Sequence, residues 1–342
     1  MVPPSGPHPI IQIHPTRRCN LRCLHCYSTS GPAERDLLGV ETLTSVIEDA
    51  RGQGYEVASF SGGEPILYKP LSELLRHAKS LGMRTTVTSN GMLLGAERLD
   101  ELTGCVDVLA ISLDGLPESH NKMRACNQAF ERMQANLEAV RKSRIDFGFI
   151  FTLTQHNVNE MEWAARFAVE QGAKLFHIHP LEEVGRAGET LCGSRPDEIE
   201  SAFGFLEAER LRTLYANRII VQLDLFHRDV LTRHPERFLP AEDECRPERL
   251  ADCVSPLILE ADGTLVPLGY SFGRQYSIGS VLHSRLRTLA PLWLAEDYPR
   301  FQQFCGNVYR EACKPSELPF LNWYELIGMR STATNFAPIQ VF

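Results

Sequence analysis

From residue 9 to about residue 190, short apolar runs alternate with amphipathic stretches, and this alternation limits the folds open to the chain more than any other feature. The runs are Pro9–His14, Tyr55–Ser61, Met83–Ser89, Val106–Leu113, Ile145–Leu153 and Lys174–Pro180, rich in Val, Ile, Phe and Thr as strands are. Between them, Leu43, Val46, Ile47 and Ala50 fall on one helical face, as do Leu71, Leu74, Leu75 and Ala78, and then Phe130, Met133, Leu137 and Val140. These stripes read as core packing. Gly82 and Gly172 stand where helices end. Six strand–helix repeats predict an α/β fold with a parallel sheet, either open and doubly wound or closed toward a barrel. In both, chemistry collects at the C-terminal ends of the strands.

Past residue 190 the pattern changes. Pro196–Arg218 reads as one helix, with Ile199, Phe203, Leu206 and Leu214 as its apolar stripe. Pro256–Glu260 and Thr264–Leu268 flank Ala261-Asp262-Gly263 and predict a β-hairpin. A domain boundary is expected near Arg195, giving domains 1–194 and 195–342. The 342 residues carry a net charge of −8 with no block of Lys or Arg, which disfavours a nucleic-acid partner. No apolar run approaches the roughly 20 residues of a membrane span. The Pro-rich stretch Met1–Pro9 lacks the apolar centre of a signal peptide, so a cytoplasmic location is expected. In a reducing compartment, ten cysteines point to metal binding or catalysis rather than disulfides.

Three of these cysteines stand together in Cys19-Asn20-Leu21-Arg22-Cys23-Leu24-His25-Cys26, just after the first expected strand. Thiolates are the soft ligands of iron–sulfur clusters, and three of them leave one iron of a cubane without a protein ligand. An open position of that kind is where a cofactor binds. Zinc is the alternative on spacing alone, with His14 or His25 as the fourth ligand. Polar residues end the later runs in turn. Ser61-Gly62-Gly63-Glu64-Pro65 follows the second run and offers a carboxylate behind two glycines that allow close backbone approach to a ligand. Ser89-Asn90-Gly91 follows the third, and Ser112-Leu113-Asp114-Gly115, with His120 and Arg124, follows the fourth. Thr152, Thr154 and Asn157 end the fifth. His177 and His179 alternate on the sixth before Gly185-Arg186, although single histidines more often serve structure than function. A ligand with an amine, a carboxylate and ribose hydroxyls suits such a rim.

Cys19-x-x-x-Cys23-x-x-Cys26 together with Gly62-Gly63-Glu64-Pro65 resembles the radical S-adenosylmethionine (SAM) superfamily over roughly residues 9–190. The resemblance implies a partial (β/α)6 barrel of TIM type. It implies a 4Fe–4S cluster on Cys19, Cys23 and Cys26 whose open iron binds SAM, and reductive cleavage of SAM to a 5′-deoxyadenosyl radical that abstracts a substrate hydrogen. It also implies an electron donor of flavodoxin or ferredoxin type. Carried over position by position, Gly62, Gly63, Glu64 and Pro65 meet the methionine amine. Ser89 and Asp114 meet the ribose, Ser112 and Arg124 meet the carboxylate, and the backbone at His25 meets adenine. Asn90 and Thr152 complete the set.

The run from Thr16 to Pro32, with Leu113-Asp114-Gly115 and His120-x-x-x-Arg124, is most similar to the branch with a C-terminal SPASM or twitch extension, here a smaller α+β region. That branch includes peptide maturases and haem-modifying enzymes, and its extension binds auxiliary clusters. The chain departs from it at Pro267-Leu268, where Pro-Cys is usual, and lacks the dense terminal C-x-x-C run. Either Cys245, Cys253, Cys305 and Cys313 hold a second iron–sulfur cluster, or the extension has lost its metal. The leading expectation is hydrogen abstraction from a ribosomally made peptide, helped by a separate leader-peptide-binding protein because the chain starts almost at its first strand. The alternatives are a tetrapyrrole or other small metabolite as substrate, and a non-catalytic iron–sulfur or zinc protein.

Overall fold

The computed structural model describes residues 8–239, 247–314 and 319–333. Six parallel strands follow the expected order: β1 (Ile10–Ile13), β2 (Val57–Phe60), β3 (Arg84–Ser89), β4 (Val108–Ser112), β5 (Asp146–Leu153) and β6 (Leu175–Pro180). Their crossovers carry α1 (Val40–Gly52), α2 (Leu71–Ser80), α3 (Ala96–Leu102), α4 (Pro117–Met123), α5 (Ala129–Ser143) and α6 (Met161–Glu170). Each expected stripe is buried. Leu43, Ile47 and Ala50 of α1, all four stripe residues of α2, and Met133, Leu137 and Val140 of α5 are at most 1% exposed. Gly82 and Gly172 take left-handed φ of 75° and 81° past the ends of α2 and α6, a conformation that costs other residues more.

Alternation along the strands makes two surfaces. Ile11, Ile13, Phe60, Val87, Leu109, Ile111, Phe149, Phe151, Phe176 and Ile178 face the helices and are fully buried. The intervening Gln12, Ser59, Thr86, Thr88, Thr152, His177 and His179 are only half-buried, so a largely polar lumen lies on the other face of the sheet.

The sheet is wider than six strands. After α7 (Ala187–Thr190) and α8 (Glu198–Leu214), β7 (Ile220–Leu223) pairs in parallel with β6. A short β8 (Phe226–His227) and α9 (Arg228–Arg233) follow. The hairpin β9 (Leu257–Leu259) and β10 (Thr264–Pro267) forms where expected, but β9 pairs in parallel with β1, and β11 (Gly279–Ser280) completes that edge. The sheet therefore runs β11-β10-β9-β1-β2-β3-β4-β5-β6-β7, crossing the boundary expected near residue 195 on both sides. Then come α10 (Leu286–Glu296), α11 (Tyr298–Ala312), β12 (Phe320–Leu321), paired with β8, and α12 (Trp323–Thr332).

The stripe expected on α8 is corrected. Ile199, Phe203, Leu206 and Leu214 are exposed, and the helix buries Gly204, Ala208 and Leu211 instead. Gly204 explains the reversal: a Cβ there would stand 3.1 Å from Leu153 Cδ2, so small residues let α8 lie close against the barrel. Among the described residues, no helix is long and apolar enough to cross a membrane.

Candidate active site

Because β1 to β6 are parallel, their C-terminal ends form one rim, and the cysteine loop leaves the first of them. The loop folds back on itself: Cys19 N donates to Gly31 O at 3.1 Å, Gly31 N donates to Arg17 O at 3.1 Å, and Leu24 N donates to Met123 O at 2.9 Å. Cys19 and Cys23 are buried and Cys26 is half-buried. Each sulfur faces a donor: Leu21 N at 3.4 Å from Cys19 Sγ, Arg124 Nη1 at 3.8 Å from Cys23 Sγ, and Ser30 N at 3.3 Å from Cys26 Sγ. Burial, then the Glu64 carboxylate, pushes the Cys19 thiol up to about 12, and burial raises Cys23 as well. Iron binding at these thiols would displace protons that the metal-free chain retains.

The donor set fits a cluster better than a single ion. The three sulfurs do not all lie within 4.8 Å of one another, and among the described residues neither His14 nor His25 joins them at that range. One tetrahedral zinc, with Zn–S near 2.3 Å, needs its ligands closer together than that. His14 is instead fully buried, stacked on Tyr270 at 4.9 Å, and burial pulls its pKa down to about 3.

The two glycines let this segment pack closely against the cysteine loop. Gly63 N donates to Thr16 O at 2.9 Å and Glu64 N to Arg18 O at 3.0 Å, so this segment pairs with the backbone leading into Cys19. A Cβ on Gly63 would collide with the Arg18 carbonyl oxygen, and Gly62 holds a φ of 111°. Pro65 then opens a short 3-10 turn, Pro65–Leu67. Glu64 is 1% exposed, and its carboxylate accepts from Asn90 N at 2.9 Å and Ile66 N at 3.1 Å. Burial raises its pKa, against those two bonds. Ser89 is also buried, accepting from Gly91 N at 3.1 Å, and Asn90 Nδ2 donates to Asn20 Oδ1 at 2.8 Å, tying the third strand end to the cysteine loop.

Asp114 and Arg124 form a buried pair. Arg124 Nε donates to Asp114 Oδ2 at 2.6 Å, and Thr152 N approaches Asp114 Oδ1 at 3.4 Å. Asp114 has no exposed surface and orients the guanidinium, which also faces Cys23 Sγ. Burial alone would raise Asp114, yet Arg124, His25 and His120 hold it down at about 2. Asp114 N donates to His120 Nδ1 at 3.1 Å, and Asn157 Nδ2 donates to Asp114 O at 3.0 Å. Ser112 ends β4 beside Ile150, and Thr152 lies beside His179. His25 is half-buried with Nδ1 unpartnered, and burial lowers its pKa to about 4.

Arg186 was not singled out as a site residue. Its backbone N donates to Cys26 O at 3.0 Å, Nη1 donates to Cys23 O at 2.8 Å and Nη2 to Ser30 O at 2.7 Å, so one buried guanidinium clamps the cysteine loop. Gly185, at φ 60°, packs on the Tyr27 carbonyl beside it. The signal was Gly185-Arg186 just past the sixth strand, at the same rim.

Among the described residues, the C-terminal cysteines Cys253, Cys305 and Cys313 are not gathered in this way. Cys245 lies outside the described residues. Cys253 is half-buried and Cys305 is buried on α11, where the Cys253 thiol lies near enough to help raise its pKa. Cys313 follows eight residues after Cys305 at the end of α11.

Residues 13–168 match the family model of the radical SAM superfamily, and this part of the chain is a radical SAM domain. The Fe-coproporphyrin III synthase of Methanosarcina barkeri is 29% identical over 304 residues, covering 83% of this chain and 73% of the relative. The AdoMet-dependent heme synthase of the same organism is 32% identical over 191 residues, 55% of this chain and 53% of its own. The sporulation killing factor maturation protein SkfB of Bacillus subtilis is 28% identical over 175 residues, covering 51% of this chain and 43% of SkfB. Against these last two, the chain matches only about half of the relative's length. Among solved structures, Streptococcus suis SuiB bound to S-adenosylmethionine superimposes with a TM-score of 0.67 at 16% identity, over 87% of this chain and 68% of SuiB. That likeness establishes the fold, a barrel-like α/β architecture.

Proposed function

We propose that this chain is a radical SAM enzyme that abstracts hydrogen from a carboxylated tetrapyrrole. The observation that carries the chemistry is the convergence of three thiols, each facing a donor, with the buried Glu64 carboxylate and the Asp114–Arg124 pair on one rim. Cys19, Cys23 and Cys26 would hold a 4Fe–4S cluster, which would supply the one electron for reductive cleavage of SAM. Glu64 presents its remaining lone pairs to the methionine amine. Arg124, aimed by Asp114, directs its free N–H groups to the methionine carboxylate, with Ser112 beside it. Ser89, Asn90 and Thr152 border the ribose, and the backbone at His25 borders adenine. The half-buried polar lumen takes the substrate.

The choice of substrate class turns on coverage. Similarity to the Fe-coproporphyrin III synthase runs far past the radical SAM domain, over 83% of the chain, whereas similarity to SkfB stops at 51%. A peptide substrate is the second reading, favoured by the SuiB fold, since SuiB has also been crystallised with its precursor peptide SuiA. Anaerobic enzyme with SAM and dithionite, with or without iron coproporphyrin III, distinguishes them. As a ligand of the product type, the porphyrin is expected to bind tightly and to slow 5′-deoxyadenosine formation; a porphyrin that neither binds nor changes the rate contradicts the tetrapyrrole reading.

A further inference from the structure

On the lumen side of β6 and β7 stands a group that the SAM chemistry does not use. His177 Nε2 and His179 Nδ1 converge on one oxygen, Asp224 Oδ2, at 2.6 and 3.0 Å. One ligand atom from each of the three residues lies within 4.8 Å of the others, and their side chains are 23%, 34% and 16% exposed, so the group opens toward the lumen rather than into core.

The strands build this arrangement. His177 and His179 are two apart on β6 and so share a face, and Asp224 follows β7 directly, its N donating to Ile178 O at 3.0 Å. The next layer is set as well. His179 Nε2 lies 3.2 Å from Glu182 Oε1, and Gln222 Nε2 donates to Asp224 Oδ1 at 3.2 Å. A carboxylate on the far nitrogen of a histidine fixes the tautomer and leaves the near nitrogen free to ligate, as second-layer partners of metal-bound histidines do. Two imidazoles and one carboxylate with open positions is the donor set of non-haem iron and of catalytic zinc sites.

We propose that His177, His179 and Asp224 bind one divalent ion of the zinc and ferrous iron class, separate from the thiolate cluster. Its open positions face the lumen, where an oxygen donor of the substrate, such as a carboxylate, completes the coordination. The site lies next to the SAM rim: His179 pairs with Thr152, whose backbone N approaches Asp114. The ion anchors and orients the substrate.

Zinc is the probe. Enzyme carrying its reconstituted iron–sulfur cluster is dialysed anaerobically against micromolar Zn2+, and zinc and iron are counted by mass spectrometry. One zinc per chain beyond the iron is expected. The His177→Gln/His179→Gln double variant should lose that zinc while keeping its iron. Glu182→Gln leaves all three ligands in place and should bind zinc about 10- to 100-fold more weakly. The proposal is overturned if the native enzyme takes up no stoichiometric zinc, or if both variants bind it as the native does, the zinc then sitting on other thiols.

Discussion

Glu64 and Cys23 divide the work of the site at the scale of single residues. On the proposed assignment Cys23→Ala removes a cluster ligand, and iron content after reconstitution should fall to near zero. Glu64→Ala removes no ligand; the cluster absorbance should survive while SAM affinity drops at least tenfold, read by equilibrium dialysis. Bleaching of the cluster by Glu64→Ala would refute this division. Asp114→Asn leaves the Arg124 guanidinium buried without its counter-charge, a loss of about 3–5 kcal/mol in thermal or denaturant unfolding. That Cys19, Cys23, Cys26 and Glu64 come to one rim was legible in the sequence because their spacing is a local signal. The pairing of Asp114 with Arg124 was not, because a carboxylate and a guanidinium ten residues apart read equally well as ligand contacts or as partners. Arg186 was hidden for a further reason: it acts on the backbone of a loop about 160 residues earlier, which no spacing reveals.

The strand ends show the same division at the scale of elements. The six runs of the barrel and the three helical stripes were readable because period-two and period-3.6 patterns report which face is buried. The same reasoning misplaced α8, whose apolar spacing points outward while Gly204 and Ala208 make the contact. Small residues at a close approach carry little hydrophobic signal. β7 was overlooked as a short run at the sheet edge, and the pairing of β9 with β1 is a long-range choice that a hairpin signal alone does not contain. Two predictions belong here. Gly63→Ala forces the Gly-Gly-Glu segment off the backbone ahead of Cys19 and should cost about 1–3 kcal/mol together with iron loading. Asp107 links three elements, bonding Lys79 of α2 at 2.6 Å and the Thr85 N of β3 at 2.8 Å just ahead of β4. Burial works against its ionisation, but these partners prevail and lower its pKa. A depressed carboxylate stabilises above its unfolded value near 4 and loses that contribution as pH falls through its lower folded value. Asp107→Asn should therefore cost about 1 kcal/mol at pH 7, discounted for exposure, and nothing in strong acid, as checked by unfolding across pH.

For the molecule as a whole, the ten-stranded sheet takes strands from both sides of residue 195. Among the described C-terminal cysteines, Cys253 and Cys305 neighbour each other while Cys313 pairs with Tyr309, so reconstituted protein should hold about four irons per chain rather than about eight. The most direct test of the account is anaerobic incubation of the iron-loaded enzyme with SAM and dithionite, followed by chromatography. Native protein should release 5′-deoxyadenosine and methionine, and Cys23→Ala neither. A fully loaded native enzyme that forms no 5′-deoxyadenosine would contradict the assignment of Cys19, Cys23 and Cys26 to a SAM-cleaving cluster.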